Sequence, residues 1–139
     1  MRIQDSTSTA VVRLFRLINR TYNRALKPVG LSAEQTHILG ILWIEGPMTI
    51  GELQRMLSLS SSTLTGAIDR MERMELVRRV RVPGDRRAWQ LQPTNMPARK
   101  RKQIEQILDE TEEVCLAGLT AKERRQLLKL LQKAAGAFE

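Results

Sequence analysis

The sequence predicts a mostly α-helical chain that carries one small β-hairpin. Three observations predict it. Apolar residues recur at helical spacing along most of the 139 residues. Ser32-x-x-Gln35, Thr49-x-x-Glu52 and Thr120-x-x-Glu123 each place a hydroxyl three residues before an amide or carboxylate, the pattern of a capping box that opens a helix. One stretch, "LVRRVRVPGDRRAWQLQ" from Leu76, instead alternates apolar and polar residues about a Pro83-Gly84 turn.

The elements follow in order. Val11, Leu14, Phe15, Ile18, Tyr22, Ala25 and Leu26 share one face of a first helix over 8–27, with Arg13, Arg16, Arg20 and Arg24 opposite; Pro28 and Gly30 end it. The box at Ser32 opens a second helix, which carries Ile38, Leu39, Leu42 and Trp43 and stops at Gly46-Pro47. The box at Thr49 opens a short third helix whose Ile50, Leu53 and Leu57 are expected to point inward. "SLSSST" breaks the pattern, and Ser60 or a neighbour is expected to cap a fourth helix with Leu64, Ala67, Ile68 and Met71 buried. The hairpin comes next, with Trp89 expected to pack onto the helices. Thr94-Asn-Met-Pro97 leads into a long helix with Ile104, Ile107, Leu108, Thr111 and Cys115 in phase, and the last helix aligns Leu127, Leu131, Ala134 and Phe138.

Charge is localised. The formal net charge is +8, and residues 70–102 alone hold eleven Lys/Arg against three acids. A basic patch centred on a turn, rather than spread along a helix face, is the footprint of a polyanion, and of nucleic acid first. Two short helices joined by a serine-rich turn and followed by a basic hairpin form a winged helix-turn-helix. In that device the second helix enters the DNA major groove with its N-terminal residues foremost. Those residues are Ser60, Ser61, Ser62, Thr63 and Thr65, with Arg70 one turn on. One hydroxyl caps the helix; a cap does not need four in a row, so groove contact is weighed above capping alone. At the turn, Asp85, Arg86 and Arg87 are the candidates for backbone and minor-groove contact.

Other chemistry finds no residues to carry it. With one His and one Cys there is no metal-ligand cluster, and neither a phosphate loop nor a nucleophile elbow is present. No catalytic residue, metal or cofactor is expected, and the chain is not read as an enzyme. Lacking a long apolar run or a signal-peptide core, it is expected to be cytoplasmic and to have no membrane partner. Cys115 is expected to be a small buried residue, because the neighbouring Glu112 and Glu113 disfavour a thiolate.

"LSAEQTHILGIL", "LSSSTLTGAIDRME" and "GDRRAWQL" resemble the MarR family of bacterial and archaeal transcription regulators. Leu31 to Leu91 follow the family's order of motifs, and the flanking helices match in kind. The resemblance implies one domain over 1–139, with the winged helix-turn-helix at 31–92 and N- and C-terminal dimerisation helices in 8–30 and 94–139. It implies a homodimer that binds double-stranded DNA at a pseudo-palindromic operator, usually as a repressor. It further implies a small anionic or phenolic effector, for which Arg13, Arg16, Arg20 and His37 are the candidates; the plainer alternative is a solvated face for the arginines and a packed residue for His37. By the family pattern Asp85 orients an arginine, Arg87 enters the minor groove and Arg86 lies near phosphate. Two stretches depart from the pattern. Glu75 stands where the family often has glycine, so the helix exit either avoids a left-handed residue or strains one, and "QPTNMP" replaces the usual L-T-x-x-G. The competing functions are a winged-helix protein–protein adaptor, a ligand-independent DNA-binding protein and an RNA-binding winged helix. An adaptor has no need of the arginines, and RNA recognition calls for more aromatic platforms.

Overall fold

The computed structural model describes residues 2–139. The elements are a 3-10 turn at Ile3–Asp5, α1 (Thr7–Leu26), a second 3-10 turn at Lys27–Val29, α2 (Ala33–Glu45), β1 (Met48–Thr49), α3 (Ile50–Leu57), α4 (Ser61–Arg73), β2 (Val77–Val82), β3 (Asp85–Pro93), α5 (Ala98–Cys115) and α6 (Ala121–Gly136). The three predicted capping boxes all form: Ser32, Thr49 and Thr120 each accept an N–H bond from, and return one to, the residue three positions on.

The chain divides into two compact units. One comprises Leu26–Ile104. Its core is built from Leu26, Ile38, Leu39, Leu42, Leu53, Leu64, Ile68, Met71, Leu91 and Ile104, all out of contact with solvent. The inward stripe of α4 is buried as its spacing predicted: Leu64, Ala67, Ile68 and Met71. In α3 only Leu53 is fully buried, and Ile50 and Leu57 sit half-buried. The two-residue β1 adds an edge to the hairpin, giving an antiparallel sheet in the order β1-β3-β2 with Met48 opposite Leu91. So short a strand leaves no periodicity for the sequence to show.

The second unit comprises Met1–Ala25 and Glu105–Glu139. Its α5–α6 junction is held by Arg124, whose Nη1 reaches both oxygens of Glu113 at 2.8 and 2.9 Å. Among its described residues only Thr111 is buried, and α6 has no buried residue at all. Burial and, secondarily, Glu112 push the Tyr22 phenol up to about 12. Burial and Glu112 likewise raise the Cys115 thiol.

Candidate nucleic-acid interface

The interface is assembled within Leu26–Ile104. Ser58 ends α3 in the left-handed conformation (φ 52°), turning the chain sharply toward α4. Ser60 is the N-cap: its Oγ accepts the Thr63 N–H at 3.3 Å and donates to Thr63 Oγ1 at 2.8 Å. The cap therefore occupies Ser60 and engages the Thr63 hydroxyl. Ser61, Ser62 and Thr65 are exposed, and none of Ser61, Thr65 or Arg70 makes a side-chain hydrogen bond among the described residues. On the side of α4 away from the core, hydroxyls and the N-terminal amides of the helix thus face solvent together, an arrangement suited to phosphate and base edges.

α4 leaves through a Schellman motif. Leu76 N–H bonds the Met71 carbonyl and Glu75 N–H the Glu72 carbonyl, with Glu75 at φ 60° in the position glycine usually fills. Of the two exits the sequence allowed, the strained one is taken. Thr94 secures it, its Oγ1 donating to the Glu75 carbonyl at 2.6 Å and its N–H to that of Leu76 at 3.0 Å.

The hairpin pairs β2 with β3 from Val77–Pro93 to Arg81–Trp89, and then the register shifts between Arg81 and Val82, where Val82 pairs with Asp85. Arg86, Arg87 and Ala88 are thereby looped out of the ladder, as a bulge does when it re-aims side chains. Gly84 turns the tip at φ 81°. Asp85 Oδ1 accepts the Arg87 N–H at 2.9 Å, so it orients Arg87 through the backbone and leaves the guanidinium uncommitted.

The hairpin arginines divide into two sets. Arg78 bonds Gln92 across the strands at 3.2 and 3.3 Å. Arg79 reaches Asp69 at 2.7 Å and Glu72 at 2.8 Å, both on α4. Arg81 lies 3.8 Å from the centroid of the Trp89 ring and donates to the Arg86 carbonyl. These three brace the wing. The side chains of Arg86 and Arg87, exposed at the tip, make no ion pair among the described residues. Trp89 corrects the expectation that it would pack onto the helices: it stays 43% exposed, because its strand has left the core and the guanidinium of Arg81 covers it instead.

Arg13, Arg16 and Arg20 are exposed on α1, and His37 is exposed on α2. An open hollow of about 360 Å³ is lined by other residues: Pro28, Val29, Pro97, Arg99, Lys100 and Gln103. Sequence reasoning missed the bonds from Arg79 to α4 and the support given by Thr94; the spacing of Asp69 and Glu72, three apart on the helix that precedes the wing, was the available signal for the first. Among the described residues no group of His, Cys, Asp or Glu is arranged to hold a metal, and no helix is long and apolar enough to cross a membrane.

Residues 31–89 match the sequence profile of the MarR family. The chain is 29% identical over 125 residues to the HTH-type transcriptional regulator MgrA of Staphylococcus aureus, covering 89% of this chain and 84% of that one. Among solved structures, a cysteine-to-serine mutant of MarR from E. coli, complexed with operator DNA, is similar at a TM-score of 0.82 and 26% identity, over 91% of both chains. The PcaV regulator of Streptomyces coelicolor, solved in complex with its natural ligand, shares the fold at a TM-score of 0.86 and 22% identity, over 100% of this chain and 98% of that one.

Proposed function

We propose that this chain is a MarR-family transcription regulator that acts in the cytoplasm as a homodimeric repressor bound to a pseudo-palindromic operator. It is a DNA-binding regulator and not an enzyme. The observation that carries the reading is the pairing, on one sheet-and-helix unit, of a hydroxyl-lined helix N-terminus with two uncommitted arginines at a bulged tip. In this reading Ser61, Ser62, Thr65 and Arg70 meet the major groove, with Thr63 held to the cap, while Arg87 enters the minor groove and Arg86 lies near phosphate.

Dimerisation is supported by the unit that carries α1, the end of α5 and α6. Phe15, Val114, Leu128, Leu130 and Phe138 are each more than half exposed there. A second copy would bury that surface and set two recognition helices about 34–36 Å apart, roughly 10–10.5 base pairs. Selection of duplexes from a random pool, followed by footprinting, tests the reading. A dyad-symmetric site is expected, and a footprint without dyad symmetry overturns it. An anionic or phenolic effector facing Arg13, Arg16, Arg20 or His37 is the finer part of the proposal. Salicylate titrated into the complex at millimolar concentration is expected to release the DNA; persistent binding removes that part alone.

A further inference from the structure

Arg79 lies in mid-β2 on the strand face that also carries Val77 and Arg81. Its guanidinium forks between two carboxylates: Nη2 donates a hydrogen bond to Asp69 Oδ1 at 2.7 Å, and Nε lies 2.8 Å from Glu72 Oε1 as an ion pair without hydrogen-bond alignment. The two acids are three residues apart, hence neighbours on one side of α4. Arg79 and Glu72 are each about one-third exposed at the side chain and Asp69 about half, so the triad stands at the edge of the core rather than loose in solvent. The core contacts of the hairpin end near its base: Leu76, Val77 and Leu91 are buried, whereas Arg81, Pro83, Gly84 and Asp85–Arg87 are exposed.

We propose that Arg79 is a positioning residue for DNA binding, which clamps the wing to the recognition helix so that the two engage their grooves as one preformed body. The inference rests on the reading of α4 and the wing as the DNA-contacting elements. A guanidinium that bonds one carboxylate and lies against a second holds the strand to two points of the helix at once, a reach that a compact ammonium does not match. With the clamp closed, a bound recognition helix presents the tip arginines already in place, and the second contact forgoes an ordering cost. With it open, the wing must be ordered at each encounter.

The test has one arm without DNA and one with it. In the free protein, Arg79→Gln is expected to speed amide exchange across 78–82 by about fivefold or more, while exchange in α2 is unchanged. Asp69→Asn opens one half of the fork from the helix side and is expected to move the same amides by less. Against a duplex that the wild type selects from a random pool, Arg79→Gln is expected to lose about tenfold in affinity with the same salt slope, and Arg79→Lys not to restore it. Thr65→Ala and Arg87→Ala are expected to be coupled in the wild type and additive in the Arg79→Gln background. A salt slope lower by about one unit would make Arg79 a phosphate ligand instead. Unchanged exchange, or coupling that survives Arg79→Gln, overturns the clamp. A wild type that selects no duplex sinks the DNA-binding reading, while the exchange arm still decides whether Arg79 ties wing to helix.

Discussion

Glu75 shows how one side chain can be held against its own preference. A left-handed conformation costs a non-glycine residue about 1–2 kcal/mol, and Glu75 adopts it at φ 60°. The surrounding bonds hold it there: the two turns of the Schellman motif and the hydroxyl of Thr94 on its carbonyl. None of these uses the side chain of residue 75, so Glu75→Gly keeps them and removes the strain. Glycine gives back part of the gain through the greater freedom of its unfolded chain. The expected net is a stabilisation of about 1 kcal/mol, or roughly 4 °C in Tm, read by thermal and urea unfolding; a loss of stability would show that the carboxylate has a role beyond the turn. Tyr22 and Cys115 form a second residue-scale case. Both groups are raised, first by burial, so the folded state holds their protons more tightly than the unfolded one. Their contribution is fully present below pH 10 for Tyr22 and is lost as pH rises toward about 12. Urea unfolding at pH 9 and 11 is expected to show this loss in the wild type and less of it in Tyr22→Phe. A raised thiol is a poor nucleophile at neutral pH, so Cys115→Ser is expected to bind DNA as the wild type does, and micromolar peroxide to leave the complex intact.

At the scale of elements, the wing is a ribbon on which repulsion among arginines has been turned to structural use. Gln92, the Asp69–Glu72 pair and the Trp89 ring each take up one guanidinium. What the tip leaves uncommitted is therefore Arg86 and Arg87, two of the three residues that the register shift sets apart from the ladder. Arg87→Ala is expected to weaken binding to the selected duplex by tenfold or more, about 1.4 kcal/mol, and to lower the salt slope by roughly one unit. Arg87→Lys is expected to recover only part of this, since an ammonium is more strongly hydrated than a guanidinium. The measurement is affinity across a salt series, with circular dichroism to confirm folding; unchanged affinity and slope in Arg87→Ala would mean that the wing does not grip DNA. This result and that expected for Arg79 differ in kind, because one residue is proposed to meet phosphate and the other only to hold the wing in place.

For the whole molecule, the contrast between the two units is the informative feature. Leu26–Ile104 closes a core of fully buried aliphatic side chains, whereas the other unit buries Thr111 alone among its described residues. Leu131, 42% exposed on α6, lies in the stripe it shares with Leu127 and Ala134; Phe138, expected in that stripe, falls beyond the end of α6 at Gly136. Leu131→Asp is expected to shift the protein toward monomer in sedimentation and to weaken DNA binding in parallel, because a half-site engages fewer phosphates. DNA affinity that survives the change would separate binding from dimerisation.

The sequence by itself determined the parts of this protein that depend on short-range chemistry. The three-residue spacing of a hydroxyl and an amide or carboxylate set the starts of α2, α3 and α6. Helical period set the buried stripe of α4, and Pro83-Gly84 set the turn of the wing. The motif order carried the resemblance to the MarR family, and with it the DNA-binding reading. Only the tertiary structure decided how the arginines divide between bracing the wing and lying open at its tip. That depends on Asp69 and Glu72 meeting Arg79 across ten and seven residues, and on a register shift in which three residues leave the ladder. It likewise decided that Glu75 would be strained and Trp89 left exposed. Local propensity fixes where an element begins because the groups that cap it lie within one turn. Which of several identical side chains finds a partner is set by distances between elements, and those exist only once the core has closed.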